Sequence, residues 1–165
     1  MKGNTVGSSS ITYKSLDPYI LGLWGADGYH RTSSIGLTAI YPELIKRFYK
    51  FLRNFFPLER MRLRVYTNEG QPRPLPPAMN WYKGKIAFAK GTKLRTQAWQ
   101  LYVNSRPLLR EFNNSLNKRL TAITKKAVIP YIAGRFDGDG SVAKNQKNDF
   151  RITYSNLQEA QLDQN

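Results

Sequence analysis

The sequence predicts an α+β fold in which helices cover one face of an antiparallel sheet, followed by the start of a second, pseudo-symmetric half. Three observations predict it. The segment Ile20-Leu21-Gly22-Leu23-Trp24-Gly25-Ala26-Asp27-Gly28 is nearly repeated as Ile132-Ala133-Gly134-Arg135-Phe136-Asp137-Gly138-Asp139-Gly140, and each copy follows a Pro-Tyr pair. Residues 42–55 and 106–121 carry apolar side chains at helical spacing. Between those stretches, Arg60–Tyr66 alternates with period two.

Residues 1–15 are polar and read as a flexible N-terminal arm. A first half is expected over 16–126, and the second Gly-rich helix with an incomplete second half over 127–165. Proline suits the first helical position, and Asp17 before Pro18 is a good N-cap, so the first Gly-rich helix runs from 18 to about 26. A glycine suited to a helix C-terminus ends each copy. Gly28–Thr32 and Ser33–Tyr41 form a hairpin in which Ile35, Leu37 and Ala39 alternate. Over 42–55, Leu44, Ile45, Phe48, Phe51, Leu52 and Phe55 make the apolar side of a helix, with Lys46, Arg47, Lys50 and Arg53 opposite. Pro57 closes it.

In the strand Arg60–Tyr66, Met61, Leu63 and Val65 face the core. Arg60, Arg62, Arg64 and Tyr66 face outward. Gly70–Met79 is rich in Pro and Gly and reads as a loop. Trp81–Lys90 is a strand with Ile86 and Phe88 inward and Lys83 and Lys85 outward. Lys93, Arg95 and Gln97 alternate again on the way into a strand at Ala98–Asn104. Pro107 sits near the start of a helix whose stripe is Leu108, Leu109, Phe112, Leu116 and Leu120. Lys125–Ile129 then leads into the second Gly-rich helix. Val142–Lys147 and Phe150–Tyr154 read as short strands, and Asn156–Asp163 as a helix opening.

Charge narrows the partners. The 165 residues carry 26 Lys+Arg against 11 Asp+Glu, a formal net charge of +15. Fifteen basic and only two acidic residues, Glu69 and Glu111, lie between Arg60 and Lys126. A surface of this kind attracts a polyanion in a salt-dependent way. Arginines on an open strand face can pair with phosphate or fork onto guanine. The candidate nucleic-acid contacts are therefore Arg60, Arg62, Arg64, Lys83, Lys85, Lys93, Arg95 and Lys144. Trp81, Tyr82, Trp99 and Tyr102 are large enough to stack on bases, with core packing as their other fate. There is no cysteine, which excludes a disulfide framework and a thiolate zinc site. No apolar run is long enough to span a membrane, and the first ten residues are too polar for a signal peptide.

Each Gly-rich copy ends with one acidic residue, Asp27 or Asp139, 112 residues apart. Small residues one turn apart, Gly22 and Gly25 in one copy and Gly134 and Gly138 in the other, allow two helix backbones to approach closely. The carboxylates then sit at the negative ends of their helix dipoles, where they are disfavoured. Brought together, they repel each other unless a cation lies between them. Asp137-Gly138-Asp139-Gly140-Ser141 also opens like an EF-hand loop. That loop needs Gly at its sixth position and Glu at its twelfth, which here are Val142 and Asn148. His30, the only histidine, directly follows the first copy, and no partner set marks it as a catalytic base.

The two copies resemble the LAGLIDADG motif of homing endonucleases. The second departs from the nine-letter pattern mainly at Arg135 and Phe136, the first at Leu21, Trp24 and Gly25. The resemblance implies two αββαββα halves whose motif helices pack at their interface, with an antiparallel sheet on DNA. It implies Asp27 and Asp139 as catalytic residues, and Asp27, Gly28, Asp139 and Gly140 as metal-binding positions. It implies two or three divalent ions, Mg²⁺ in function and Ca²⁺ as a non-cleaving substitute. The activity implied is site-specific hydrolysis of double-stranded DNA by an intron- or intein-associated enzyme. The alternative is a nucleic-acid-binding intron maturase on the same frame, with intron RNA as partner. A polar Gln or Lys often found near the end of each half's second strand has Ala39 or Ile40 in its place in the first half, and Tyr154 or Ser155 in the second. Lys126 and Lys144 are the basic alternatives. The 26 residues after Asp139 do not hold a whole second half. The expectation is a chain cut short, or one completed by a second chain, that alone binds DNA weakly and does not cut both strands.

Overall fold

The computed structural model describes residues 16–91, 96–122, 125–139, 141–144 and 150–153. Helix α1 (Pro18–Asp27) begins as the sequence dictates: the Asp17 carboxylate accepts a hydrogen bond from the Tyr19 N–H at 2.9 Å, and Pro18 occupies the first turn. Strands β1 (Gly28–Arg31) and β2 (Ser34–Ala39) form the expected hairpin. Its turn places Thr32 at φ 53°, a left-handed conformation costly for a β-branched residue. Helix α2 (Pro42–Arg53) buries Leu44, Ile45, Phe48, Phe51 and Leu52.

Strand β3 (Met61–Thr67) alternates as read, with Met61, Leu63, Val65 and Thr67 buried. It starts one residue late, because Leu58–Arg60 forms a 3-10 turn that takes Arg60 out of the strand. The proposed strand at 81–90 begins only at Lys85, giving β4 (Lys85–Lys90). A second 3-10 turn, Pro77–Met79, precedes it. Met79 and Tyr82 drop into the core there, which forces turns where strand was expected. Strand β5 (Ala98–Asn104) follows, then α3 (Arg106–Ala122), whose first turn is held by the Ser105 hydroxyl accepting from Leu108 N–H at 3.3 Å.

The sheet order is β1-β2-β5-β3-β4. All neighbours are antiparallel except β3 and β4, which run parallel. The sheet is thus mostly antiparallel, as expected, with β4 as the one parallel neighbour. The first half carries three strands after α2, and residues 68–84 return the chain so that β4 enters alongside β3 as the outermost strand. The core lies on one face of this sheet, where Ile35, Leu37, Leu63, Val65, Leu101 and Val103 meet Leu23, Ile45, Phe48, Leu108 and Phe112.

Helix α4 (Lys125–Asp139) starts before the expected position, so Pro130 lies inside it and the proposed domain boundary at 126/127 falls within it. Strands β6 (Ser141–Lys144) and β7 (Phe150–Thr153) pair antiparallel. The arm at 1–15 and the helix opening at 156–163 lie outside the described residues, as do Gly140, Tyr154, Ser155, Lys93 and Arg95. Among the described residues, no helix is long and apolar enough to cross a membrane.

Candidate functional site

The two Gly-rich helices pack through their glycines. A Cβ on Gly22 would stand on the carbonyl oxygen of Tyr131, and a Cβ on Gly134 would stand on that of Tyr19. These contacts exchange under the 112-residue offset, as an isologous interface requires. Further along, a Cβ on Gly138 would come 2.5 Å from the Ala26 Cβ, the pair of positions that the same offset maps onto one another. Asp27 and Asp139 are the next residues after this contact and the last of their helices.

The chain leaves α1 tightly. Gly28 has an extended conformation, φ −62°, rather than the left-handed one of a glycine C-cap. It is needed for space instead: a Cβ there would lie against the Trp24 carbonyl and 2.8 Å from its indole. That indole is fixed by Phe112, ring centroids 5.1 Å apart, and lies beside the exposed His30 at 5.9 Å. Burial, and then the charge of Asp139, push the Asp27 carboxyl up from 3.8 to about 6. The two acids are thus close enough for one charge to act on the other.

No group of three His, Cys, Asp or Glu able to hold a metal occurs among the described residues. The donor set available is two carboxylates with neighbouring main-chain carbonyls. All-oxygen donors fit a hard cation of the Mg²⁺ or Ca²⁺ kind that takes remaining ligands from water or phosphate.

Departures from strict repetition have packing causes. Arg135, at the position equivalent to Leu23, is fully buried. Gly25 leaves room for it: a Cβ there would lie 3.5 Å from the Arg135 guanidinium and 3.7 Å from the Tyr131 hydroxyl. Asp137, equivalent to Gly25, accepts a hydrogen bond from the Tyr19 hydroxyl at 2.5 Å. Burial, and then that bond, push the Tyr19 phenol up to about 12. The Arg47 guanidinium lies 4.6 Å over the Tyr19 ring, so the contact ties α2, α1 and α4 together.

The second candidate surface is the sheet face away from the core. Register places Tyr29, Gly36, Tyr102, Arg62 and Lys85 in one row across the strands, and Thr38, Gln100, Arg64 and Ala87 in the next. Arg31, Ser34 and Asn104 lie at one end, and Ala98, Tyr66 and Ala89 at the other. The three arginines of the sequence reading separate here. Arg60 leaves the strand, lies 5.1 Å over the Phe56 ring and donates to the Asn104 carbonyl at 2.9 Å. Arg62 curls back onto the carbonyls of Glu59 and Met61. Arg64 stays on the face. Lys85 is exposed on it, and Lys83 is exposed in the segment before β4. Lys144 ends strand β6.

Tyr82, Trp99 and most of Trp81 go to the core, as their alternative reading had it, while Tyr102 stays on the open face. Sequence reasoning missed Arg31, Thr38 and Gln100. The alternation of Gln100, Tyr102 and Asn104 against Trp99, Leu101 and Val103 was the signal that could have found Gln100.

No protein-family model matches the chain, and no curated protein matches it. Solved structures do. A variant of I-DmoI in complex with its target DNA and in the presence of 2 mM Mn is 16% identical, with 89% of this chain and 70% of that one covered at a TM-score of 0.49. A second I-DmoI variant, with its target DNA nicked in the coding strand and 2 mM Mn, is 17% identical over 79% of this chain and 69% of that one, TM-score 0.43. A structure of mesophilic variants of the homing endonuclease I-DmoI gives the same identity, coverage and TM-score.

Proposed function

We propose that this chain is a LAGLIDADG-type homing endonuclease that hydrolyses phosphodiester bonds of double-stranded DNA with Mg²⁺, in association with an intron or intein. The observation that carries this reading is the reciprocal packing of Gly22 and Gly134, which leads Asp27 and Asp139 out at one end of the helix pair with their charges coupled. In this role the two carboxylates would hold the cation at the C-terminal ends of α1 and α4. When bound, the cation supplies Lewis-acid polarisation of the phosphate and charge for the leaving oxygen. Gly28 lets the backbone leave α1 close against Trp24. Arg64, Lys85, Arg31 and the remaining basic side chains would bind the duplex.

The test combines cutting with an independent measure of metal binding. A plasmid library with random inserts is treated with the protein in Mg²⁺ and then in Ca²⁺, and nicked and linear products are sequenced. Nicking of one strand rather than cutting of both is expected in Mg²⁺, and binding alone in Ca²⁺. Asp27→Asn and Asp139→Asn should each abolish cleavage, leave duplex binding largely intact, and lose the rise in melting temperature that Ca²⁺ gives the unmodified protein. Cleavage that survives both changes would show that other residues carry the chemistry. Tight duplex or intron-RNA binding without cleavage in Mg²⁺ would favour the maturase reading instead.

A further inference from the structure

Gln100 sits in the middle strand of the sheet, on the face turned away from the core, yet only 3% of it is exposed. Its own neighbours on that face enclose it. Its Nε2 donates to the Thr38 hydroxyl at 3.1 Å. Its Oε1 accepts from Arg64 Nη1 at 3.4 Å and from the Tyr66 hydroxyl at 3.3 Å. The Tyr66 hydroxyl also accepts from Arg64 Nη1, at 3.4 Å. The Arg64 guanidinium lies 5.6 Å over the ring of Tyr102. Tyr102 is itself braced edge-on by Tyr29, ring centroids 5.9 Å apart. They meet across Gly36, where a Cβ would be 2.6 Å from that of Tyr102.

An arginine held at one nitrogen beside a ring has less rotamer freedom to lose when a ligand arrives. The holding group is an amide, so the guanidinium keeps its whole charge for an anionic partner. A carboxylate in the same place would neutralise it. The remaining donors of the planar fork match the N7 and O6 acceptors of guanine in a major groove.

We infer that Gln100 is a positioning residue for base recognition, which holds Arg64 beside the ring of Tyr102 so that its fork reads a guanine at one step of a DNA duplex. The inference rests on the proposed DNA-binding function. Its two consequences are separable, one in the free protein and one on DNA.

In the free protein, the Nε–H of Arg64 should be as ordered as the backbone by ¹⁵N relaxation. Gln100→Met, similar in volume but without an acceptor, should release it. Gln100→Glu, which keeps the acceptor, should not. On DNA, selection from a random duplex library should enrich guanine at one position for the unmodified protein. That preference should fall about tenfold or more in both Arg64→Ala and Gln100→Met, and survive in Gln100→Glu despite weaker binding overall. An Arg64 side chain equally rigid in Gln100→Met, or a guanine preference kept by Gln100→Met and lost by Arg64→Ala, would overturn the inference. If the unmodified protein binds no duplex, the proposed function fails, and base recognition by Arg64 fails with it. The relaxation measurement then still decides whether Gln100 fixes Arg64.

Discussion

The carbonyl oxygen of Tyr131 occupies the space in which a side chain on Gly22 would begin. Main-chain carbonyls cannot rotate aside, so an added methyl there must push the helices apart. Gly22→Ala, and equally Gly134→Ala against the Tyr19 carbonyl, should destabilise the protein by about 1–3 kcal/mol or more, as overpacking does. Gly25→Ala meets only side-chain ends, Leu116 at 3.3 Å, the Arg135 guanidinium at 3.5 Å and the Tyr131 hydroxyl at 3.7 Å, and should cost less. Urea unfolding of the three variants checks the order. A milder effect at Gly22 than at Gly25 would show that the helix pair is looser than the contact implies.

The acid pair makes stability depend on pH. Asp27 titrates near 6 in the folded chain and near 3.8 when unexposed to its fold-specific surroundings. A raised folded value means the folded state holds the proton more tightly. The resulting stabilisation is complete below about pH 3.8 and disappears as pH rises through about 6. Two units correspond to about 3 kcal/mol, and solvent screening of a half-buried group brings this to about 1–2 kcal/mol. In metal-free buffer at pH 7.5, Asp27→Asn should therefore be the more stable protein, with the difference gone near pH 4. Thermal unfolding at the two pH values with a chelator present measures it. A difference that does not change with pH would remove the electrostatic explanation.

The hairpin stores strain at Thr32. A β-branched residue at φ 53° is disfavoured, while Asn adopts that conformation readily. The Thr32 hydroxyl donates to the Arg31 carbonyl at 2.7 Å and recovers part of the cost. Thr32→Asn should stabilise the protein by about 0.5–1 kcal/mol, read from the denaturant midpoint. A loss of stability would mean that the hydroxyl contact outweighs the backbone preference.

Duplex binding should weaken with salt in proportion to the phosphates engaged. Lys85→Ala removes an exposed cation from the open face and should lower the slope of log K against log salt by about one unit, whatever the sequence bound. Fluorescence anisotropy on two unrelated duplexes over a range of salt supplies the slopes. An unchanged slope would place Lys85 outside the contact surface.

Much of this architecture is local and so legible in the chain. Asp17-Pro18 fixes the start of α1, and the alternation over 61–67 fixes which face of β3 is buried. The position of Asp27 and Asp139 at the ends of two packed helices was legible because each copy of the repeat ends in one acid, and a repeat reports symmetry without needing coordinates. The parallel entry of β4 was not legible, because it depends on how residues 68–84 fold back and on Met79 and Tyr82 reaching the core. The place of Arg60 in the strand was misjudged because alternation was carried one residue past the point where a 3-10 turn breaks it. Gln100 was overlooked because polarity on a strand face suggests exposure, whereas its cover comes from Arg64 and Tyr66 on another strand.

The outermost position of β4 has a consequence for how the protein behaves in a crowd of its own copies. Among the described residues nothing pairs with the outer edge of β4, and such an edge offers backbone groups to another extended chain, with Ile86, 37% exposed, as an apolar foothold. Lys85 and Lys90 stand at the two ends of that strand. A second copy adding itself edge to edge would bring its own lysines against these, in a chain already carrying a net charge of +15. At the other margin β1 is only four residues long and ends in Arg31, too short to seed a lasting pairing. The same cations that would draw a nucleic acid thus also keep the molecules from growing into one another's sheets.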